Sequence, residues 1–108
     1  MINSTNVVLL SGVLRQDPVI VNFRDANRLA RFTICVNKLI KSEPDAPKWS
    51  NSDFNVVLFN ETLDKVQHQL KKGVDISLEG YLTTCPYTNK HGEQVETIEI
   101  VANRIDIQ

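Results

Sequence analysis

The chain has 108 residues, of which 42% are hydrophobic and 23% charged, with a formal net charge of −1. That length suits one domain, residues 1–108, able to bury a core, and the composition excludes a disordered chain. No apolar run approaches the roughly 18 residues of a membrane-spanning helix, and the opening Met1-Ile2-Asn3-Ser4-Thr5-Asn6 lacks the positive region of a signal peptide. An intracellular chain, or a mature form whose targeting segment is gone, is expected.

In chain order, Val7 to Val13 is apolar at both parities, which predicts a strand buried on both faces with a bulge or bend at Gly12. Asp17-Pro18 makes a turn, Val19–Phe23 is a second short strand segment, and Arg24-Asp25-Ala26-Asn27 is a polar turn. From Leu29 to Asn37, Ala30, Phe32, Ile34 and Val36 alternate with Arg31, Thr33, Cys35 and Asn37, the period of a half-buried strand. Residues 41–52 hold two prolines and many polar groups and read as a long loop, and Phe54–Phe59 is a further strand.

One helix follows. Asn60 is the expected N-cap, Leu63, Val66 and Leu70 share a face, Lys71 and Lys72 fill the last turn, and Gly73 ends it. Val74 to Leu78 alternates, Gly80 allows a second bend, and Asn89-Lys90-His91-Gly92 turns residues 81–87 back onto 94–101 as a hairpin. Ile105 and Ile107 close the last strand. Three strands, one helix and two strands, with glycine bends in the long first and fourth strands, is the order of the five-stranded Greek-key barrel called the OB-fold, an all-β barrel with one helix. A β-sandwich is the competing architecture.

Catalytic chemistry finds no support. No GxSxG, phosphate-loop or HExxH pattern occurs, and neither His68 nor His91 has a partner at metal-ligand spacing. Cys35 and Cys85 are the only cysteines and read as reduced thiols. The expected protein has no enzyme activity, cofactor, metal or small-molecule substrate. Charge is uneven: residues 1–48 carry seven basic residues against four acids, and residues 49–108 five against nine. The first half could therefore present a positive groove despite the net charge.

Five fragments in order resemble the bacterial and mitochondrial single-stranded DNA-binding proteins: Asn6–Gly12, Arg15-Gln16-Asp17-Pro18, Phe54–Asn60, Leu70-Lys71-Lys72-Gly73 and Leu78–Leu82. Phe59-Asn60-Glu61 and Ile105-Asp106-Ile107 lean toward the mitochondrial branch. The resemblance implies an OB-fold protein, usually a homotetramer, that coats single-stranded DNA in replication, repair and recombination. The location would be bacterial cytoplasm or nucleoid, or alternatively the mitochondrial matrix. Bacterial relatives usually continue into a flexible tail with an acidic tip that recruits replication and repair proteins. Gln108 follows the last strand directly, which leaves open a truncated chain or an origin in an organelle or mobile element. A dimeric primosomal protein acting mainly in protein docking, or an OB module with no nucleic-acid role, are the rival readings.

Binding any sequence needs aromatic rings that stack on bases and cations that follow phosphates. Tyr87 matches the family's hairpin aromatic. Phe54 matches its aromatic at the start of the third strand only with a one-residue gap before Phe59, and residues five apart point to opposite faces of a regular strand. Trp49, in the polar loop, is a further stacking candidate, whereas Ile40 stands where relatives often have tryptophan. Arg31, Lys38, Lys41 and Lys48 supply cations on the second strand and its loop, with Lys90 at the hairpin tip. Lys71 and Lys72 match the family's basic pair, although cations at a helix end also complement its dipole. Thr83, Cys85 and Pro86 replace residues that are often basic, as does Glu61-Thr62 where a lysine is common. The strand at Met1–Leu10 is the expected edge for oligomerisation.

Overall fold

The alternating pattern becomes six strands in the computed structural model, which describes residues 3–41 and 48–108, the side chains of residues 40 and 41 excepted. These are β1 (Val8–Leu14), β2 (Val19–Asn22), β3 (Arg28–Lys41), β4 (Lys48–Phe59), β5 (Asp75–Thr88) and β6 (Gln94–Ile107). Helix α1 (Asn60–Val66) lies between β4 and β5 and runs on into a 3₁₀ turn over Gln67–Gln69. The sheet order is β1-β5-β6-β4-β3-β2, and β1 also pairs with β3. That last pairing closes five strands into the barrel expected from the sequence. β1 and β2 follow one another along the same edge of β3, Leu14 opposite Ile34 and Val19 opposite Arg31, as one strand interrupted by the turn at Asp17-Pro18.

The core is built from one parity of each strand. Ala30, Phe32 and Ile34 of β3, Val56 and Leu58 of β4, Ile76 and Leu78 of β5, and Ile100 and Ala102 of β6 meet inside, with Leu14 of β1. Leu63, Val66 and Leu70 join them from the helical segment, so the predicted apolar face does plug the barrel. Two glycines sit where strands cross too closely for a side chain. A Cβ on Gly12 would stand 2.3 Å from the carbonyl oxygen of Cys35, and one on Gly80 would stand 2.0 Å from that of Val101. Gly80 also lies at the register shift between Glu79 and Gly80, where β5 bends over β6.

Several local expectations are corrected. β1 is not buried on both faces: Val8 and Leu10 pack against the core, whereas Val7 and Leu9 are exposed, because a barrel has only one inside. Much of the expected loop is strand. β3 runs on to Lys41 and β4 begins at Lys48, so the polar Ser50–Asp53 stretch is held by ladder hydrogen bonds to β3 rather than by its own propensity. The remainder of that loop, residues 42–47, lies outside the described residues, as do Met1 and Ile2 of the expected oligomerisation strand. Asn60 is not the N-cap: it opens α1 at φ 42°, and its Oδ1 accepts the backbone N–H of Arg28 at 2.9 Å. The helical turns end at Gln69, so Lys71 and Lys72 lie beyond them, and Lys65 is the basic residue in the last turn of α1. Gly73 does take a positive φ, +92°, and its N–H reaches the carbonyl of Leu14.

Candidate nucleic-acid interface

Register assigns each residue to a face. On β3 and β4 the even-numbered residues point into the barrel, so Leu29, Arg31, Thr33 and Cys35 point outward with Asn55, Val57 and Phe59. The parallel pairs Val56–Ile100 and Val57–Val101 carry this parity from β4 to β6, turning Glu99 and Val101 outward. Tyr81, Thr83, Cys85 and Tyr87 of β5 stand opposite Val101, Glu99, Thr97 and Val95, on the same outward side. The result is one continuous outer face across β3, β4, β6 and β5, extended by the two long hairpin arms.

Four aromatic side chains share this face: Trp49 (64% exposed), Tyr87 (51%), Phe59 and Tyr81. Trp49 is not in a loop but on β4, paired with Leu39 of β3, which fixes its side. Phe54 pairs with Ile34 and belongs to the opposite, core-facing parity, although it is itself 38% exposed. The five-residue separation from Phe59 therefore has the consequence expected of a regular strand. Tyr81 is a further member of this face, absent from the stacking residues expected from the sequence although the period-two spacing Tyr81-Thr83-Cys85-Tyr87 carries the signal. Phe23, exposed just after β2, gave no periodic signal of its own.

The candidate cations divide. Arg31 donates from Nε to Oε2 of Glu99 at 3.1 Å, and Glu99 is only 8% exposed. Arg15 makes a similar pair with Asp53 at 3.1 Å, whose hydrogen bond and charge raise the arginine above its ordinary pKa. Arg28 is paired with Asp64, and Arg104 with Asp106. The lysines are placed differently. Lys48 is exposed at the start of β4 next to Trp49, but by register it shares the Phe54 side of the ladder with Lys38, opposite Ser50. Lys41 pairs with Lys48 through the backbone, but its side chain, like that of Ile40, lies outside the described residues.

Lys71 and Lys72 are exposed on the turn before β5. The backbone N–H of Lys72 donates to Asp17 Oδ1 at 2.9 Å, which sets this turn beside a shallow cleft lined by Gln16, Asp17, Arg31, Thr33, Asn55 and Glu99. Lys90 is exposed at the tip of the β5–β6 hairpin, where Asn89 Oδ1 accepts the N–H groups of His91 and Glu93. Cys35 and Cys85 are free thiols on the outer face. A hydrogen bond to Glu99, then burial, then the charge of that carboxylate push the Cys85 thiol above its usual pKa. Among the described residues no group of three or more His, Cys, Asp or Glu side chains is arranged to hold a metal ion.

The barrel has known counterparts. The solved structure described as Plasmodium falciparum SSB complex with ssDNA superimposes with a TM-score of 0.82, over 99% of this chain and 96% of that one, at 19% identity. That likeness establishes the fold. Single-stranded DNA-binding protein 1 of Staphylococcus aureus (strain MSSA476) is 32% identical over 101 residues, covering 93% of this chain and 63% of the relative. Single-stranded DNA-binding protein 2 of Staphylococcus aureus (strain COL) is likewise 32% identical, with 70% of its length covered. The chain thus spans a little under two thirds of the first of these relatives. The profile of the Single-strand binding protein family matches residues 5–108. With that profile spanning residues 5–108 and relatives 32% identical over 93% of its length, the chain belongs to the single-strand binding protein family.

Proposed function

We propose that this chain binds single-stranded DNA without sequence preference, on the outer face of β3, β4, β6 and β5, and protects it during replication, repair and recombination. The observation that carries the reading is the row of Trp49, Phe59, Tyr81 and Tyr87 exposed on one side of the sheet. Every base offers a π-face, so such a row holds unpaired bases of any identity. Family membership and the DNA-binding names of its relatives support the same reading. Lys48, Lys71, Lys72 and Lys90 are the proposed phosphate contacts, since four of the five arginines are committed to carboxylates. The protein acts by binding alone, without catalysis.

Assembly is part of the proposal. β1 pairs with β5 over Val8–Val13 but with β3 only at Val13 and Leu14, so among the described residues one edge of Val8–Gly12 has no partner strand. With Val7 and Leu9 exposed, that edge suits a second copy, and a homotetramer or dimer would result. Light scattering distinguishes the two from a monomer.

Trp49 is the only tryptophan and reports on the face directly. Titration with oligo-dT should quench its fluorescence, with weaker binding at higher salt and no quenching by duplex DNA. Absence of any response to oligo-dT at low ionic strength would overturn the reading.

A further inference from the structure

Arg31 and Glu99 stand 68 positions apart in sequence and meet at the middle of the outer face. Their environments differ. The guanidinium side chain is half exposed, whereas the Glu99 side chain is 11% exposed. Thr83 stands opposite Glu99 across the β5–β6 ladder, with Cys85 one step further along the same face. The pair borders the cleft that also holds Thr33, Asn55 and Asp17.

We propose that Glu99 is a fixed counter-charge that withholds Arg31 from the DNA phosphates, and so sets the affinity and salt sensitivity of this face below what its basic residues would give. The inference rests on the outer face being the DNA surface. Its physical basis is the asymmetry of burial. To engage a phosphate fully, Arg31 would have to leave Glu99, and the carboxylate cannot follow, since its backbone is fixed in the β5–β6 ladder. A buried carboxylate without its partner is strongly unfavourable. If Arg31 stays, an approaching phosphate meets both charges of the pair, and no counterion is released there. The flat guanidinium remains open to a base, because Arg planes stack on bases without needing to neutralise phosphate. The centre of the face is thereby assigned to bases, and the phosphates to lysines at its rim.

The test is the salt dependence of oligo-dT binding, read from Trp49 fluorescence, for the wild-type chain and three variants. Each phosphate contact on a single strand adds about 0.7 to the slope of log affinity against log salt. Glu99→Gln keeps an acceptor for Arg31 and removes the charge. It should bind more tightly at low salt, with a slope steeper by about 0.7, so that a tenfold rise in salt costs it about fivefold more affinity than the wild type. The double variant Arg31→Gln, Glu99→Gln should return to the wild-type slope. Arg31→Gln alone leaves Glu99 unpaired on the face and should weaken binding at low salt, so the double variant decides the matter if Glu99→Gln does not fold. An unchanged slope in Glu99→Gln, or a slope shallower by about 0.7 in the double variant, would overturn the proposal while leaving the DNA-binding face intact. A wild-type chain that ignores oligo-dT at low salt would end both readings.

Discussion

Phe54 and Tyr87 are both aromatic and both partly exposed, yet register gives them different work. Tyr87 stands on the outer face opposite Val95, and Phe54 stands with Ile34 on the core-facing side. Trp49→Ala and Tyr87→Ala should each weaken oligo-dT binding by about 1–3 kcal/mol with little change in the melting temperature. Phe54→Ala should do the reverse, lowering stability by roughly 1–2 kcal/mol through lost apolar burial and leaving affinity near that of the wild type. Binding titration and chemical denaturation of the three variants separate the roles. Cys85 gives a second check. Its folded pKa is raised, so the folded state favours the neutral thiol, an advantage complete below the unfolded pKa and lost as pH rises through the folded one. In a Cys35→Ser background, alkylation of Cys85 near pH 8.5 should be slower in the folded chain than in the unfolded one, and Glu99→Gln should speed it. The aromatic spacing on β5 was legible in the sequence, because period two is local. The Arg31–Glu99 pair was not, since nothing local links residues 68 positions apart.

Elements with a strong apolar period were read correctly, and those held by their partners were not. β3, the β5–β6 hairpin and the core-facing Leu63, Val66 and Leu70 followed from spacing alone. The first residues of β4, Lys48 to Asp53, are polar and read as loop, but they are paired one by one with β3 up to the irregularity at its end. Tertiary pairing overrides weak propensity in such a stretch. The N-terminus of α1 was misread for a related reason. Asn60 has the chemistry of a cap, but its side chain bonds back to Arg28 and Asn27, tying the helix start to the β2–β3 turn. Both glycine bends were legible as glycines, and the crossings give the reason they are needed. Gly80→Ala should destabilise the chain by about 1–3 kcal/mol, the usual range for overpacking, because its Cβ would meet backbone rather than a movable side chain. Urea denaturation measures this, and an unchanged midpoint would mean that β5 can shift over β6 without cost.

At the scale of the whole molecule, the fold is two three-stranded groups joined along two short seams. β2, β3 and β4 form one group, and β1, β5 and β6 the other. The seams are the two pairs between β1 and β3 and the two parallel pairs between β4 and β6. The proposed DNA surface crosses the second seam, so a bound strand should brace the two groups against each other. Saturating oligo-dT at 100 times its dissociation constant should raise the unfolding free energy by about 2.7 kcal/mol, read as a higher melting temperature. The order of elements was legible before the structure. The closure was not, because it depends on pairs between strands distant in sequence.

That distance has a consequence for how the chain comes into being. β1 is among the first elements made, yet its main partner, Asp75–Gly80 within β5, follows more than sixty residues later. Until then Val8 and Leu10 have no finished interior to enter, and the nascent chain must carry them open to water. Such non-local pairing slows folding to milliseconds or longer, and stopped-flow refolding followed by Trp49 should find it in that range. A permuted chain that begins at the β5–β6 hairpin and places β1 directly after it would shorten the wait and should fold faster.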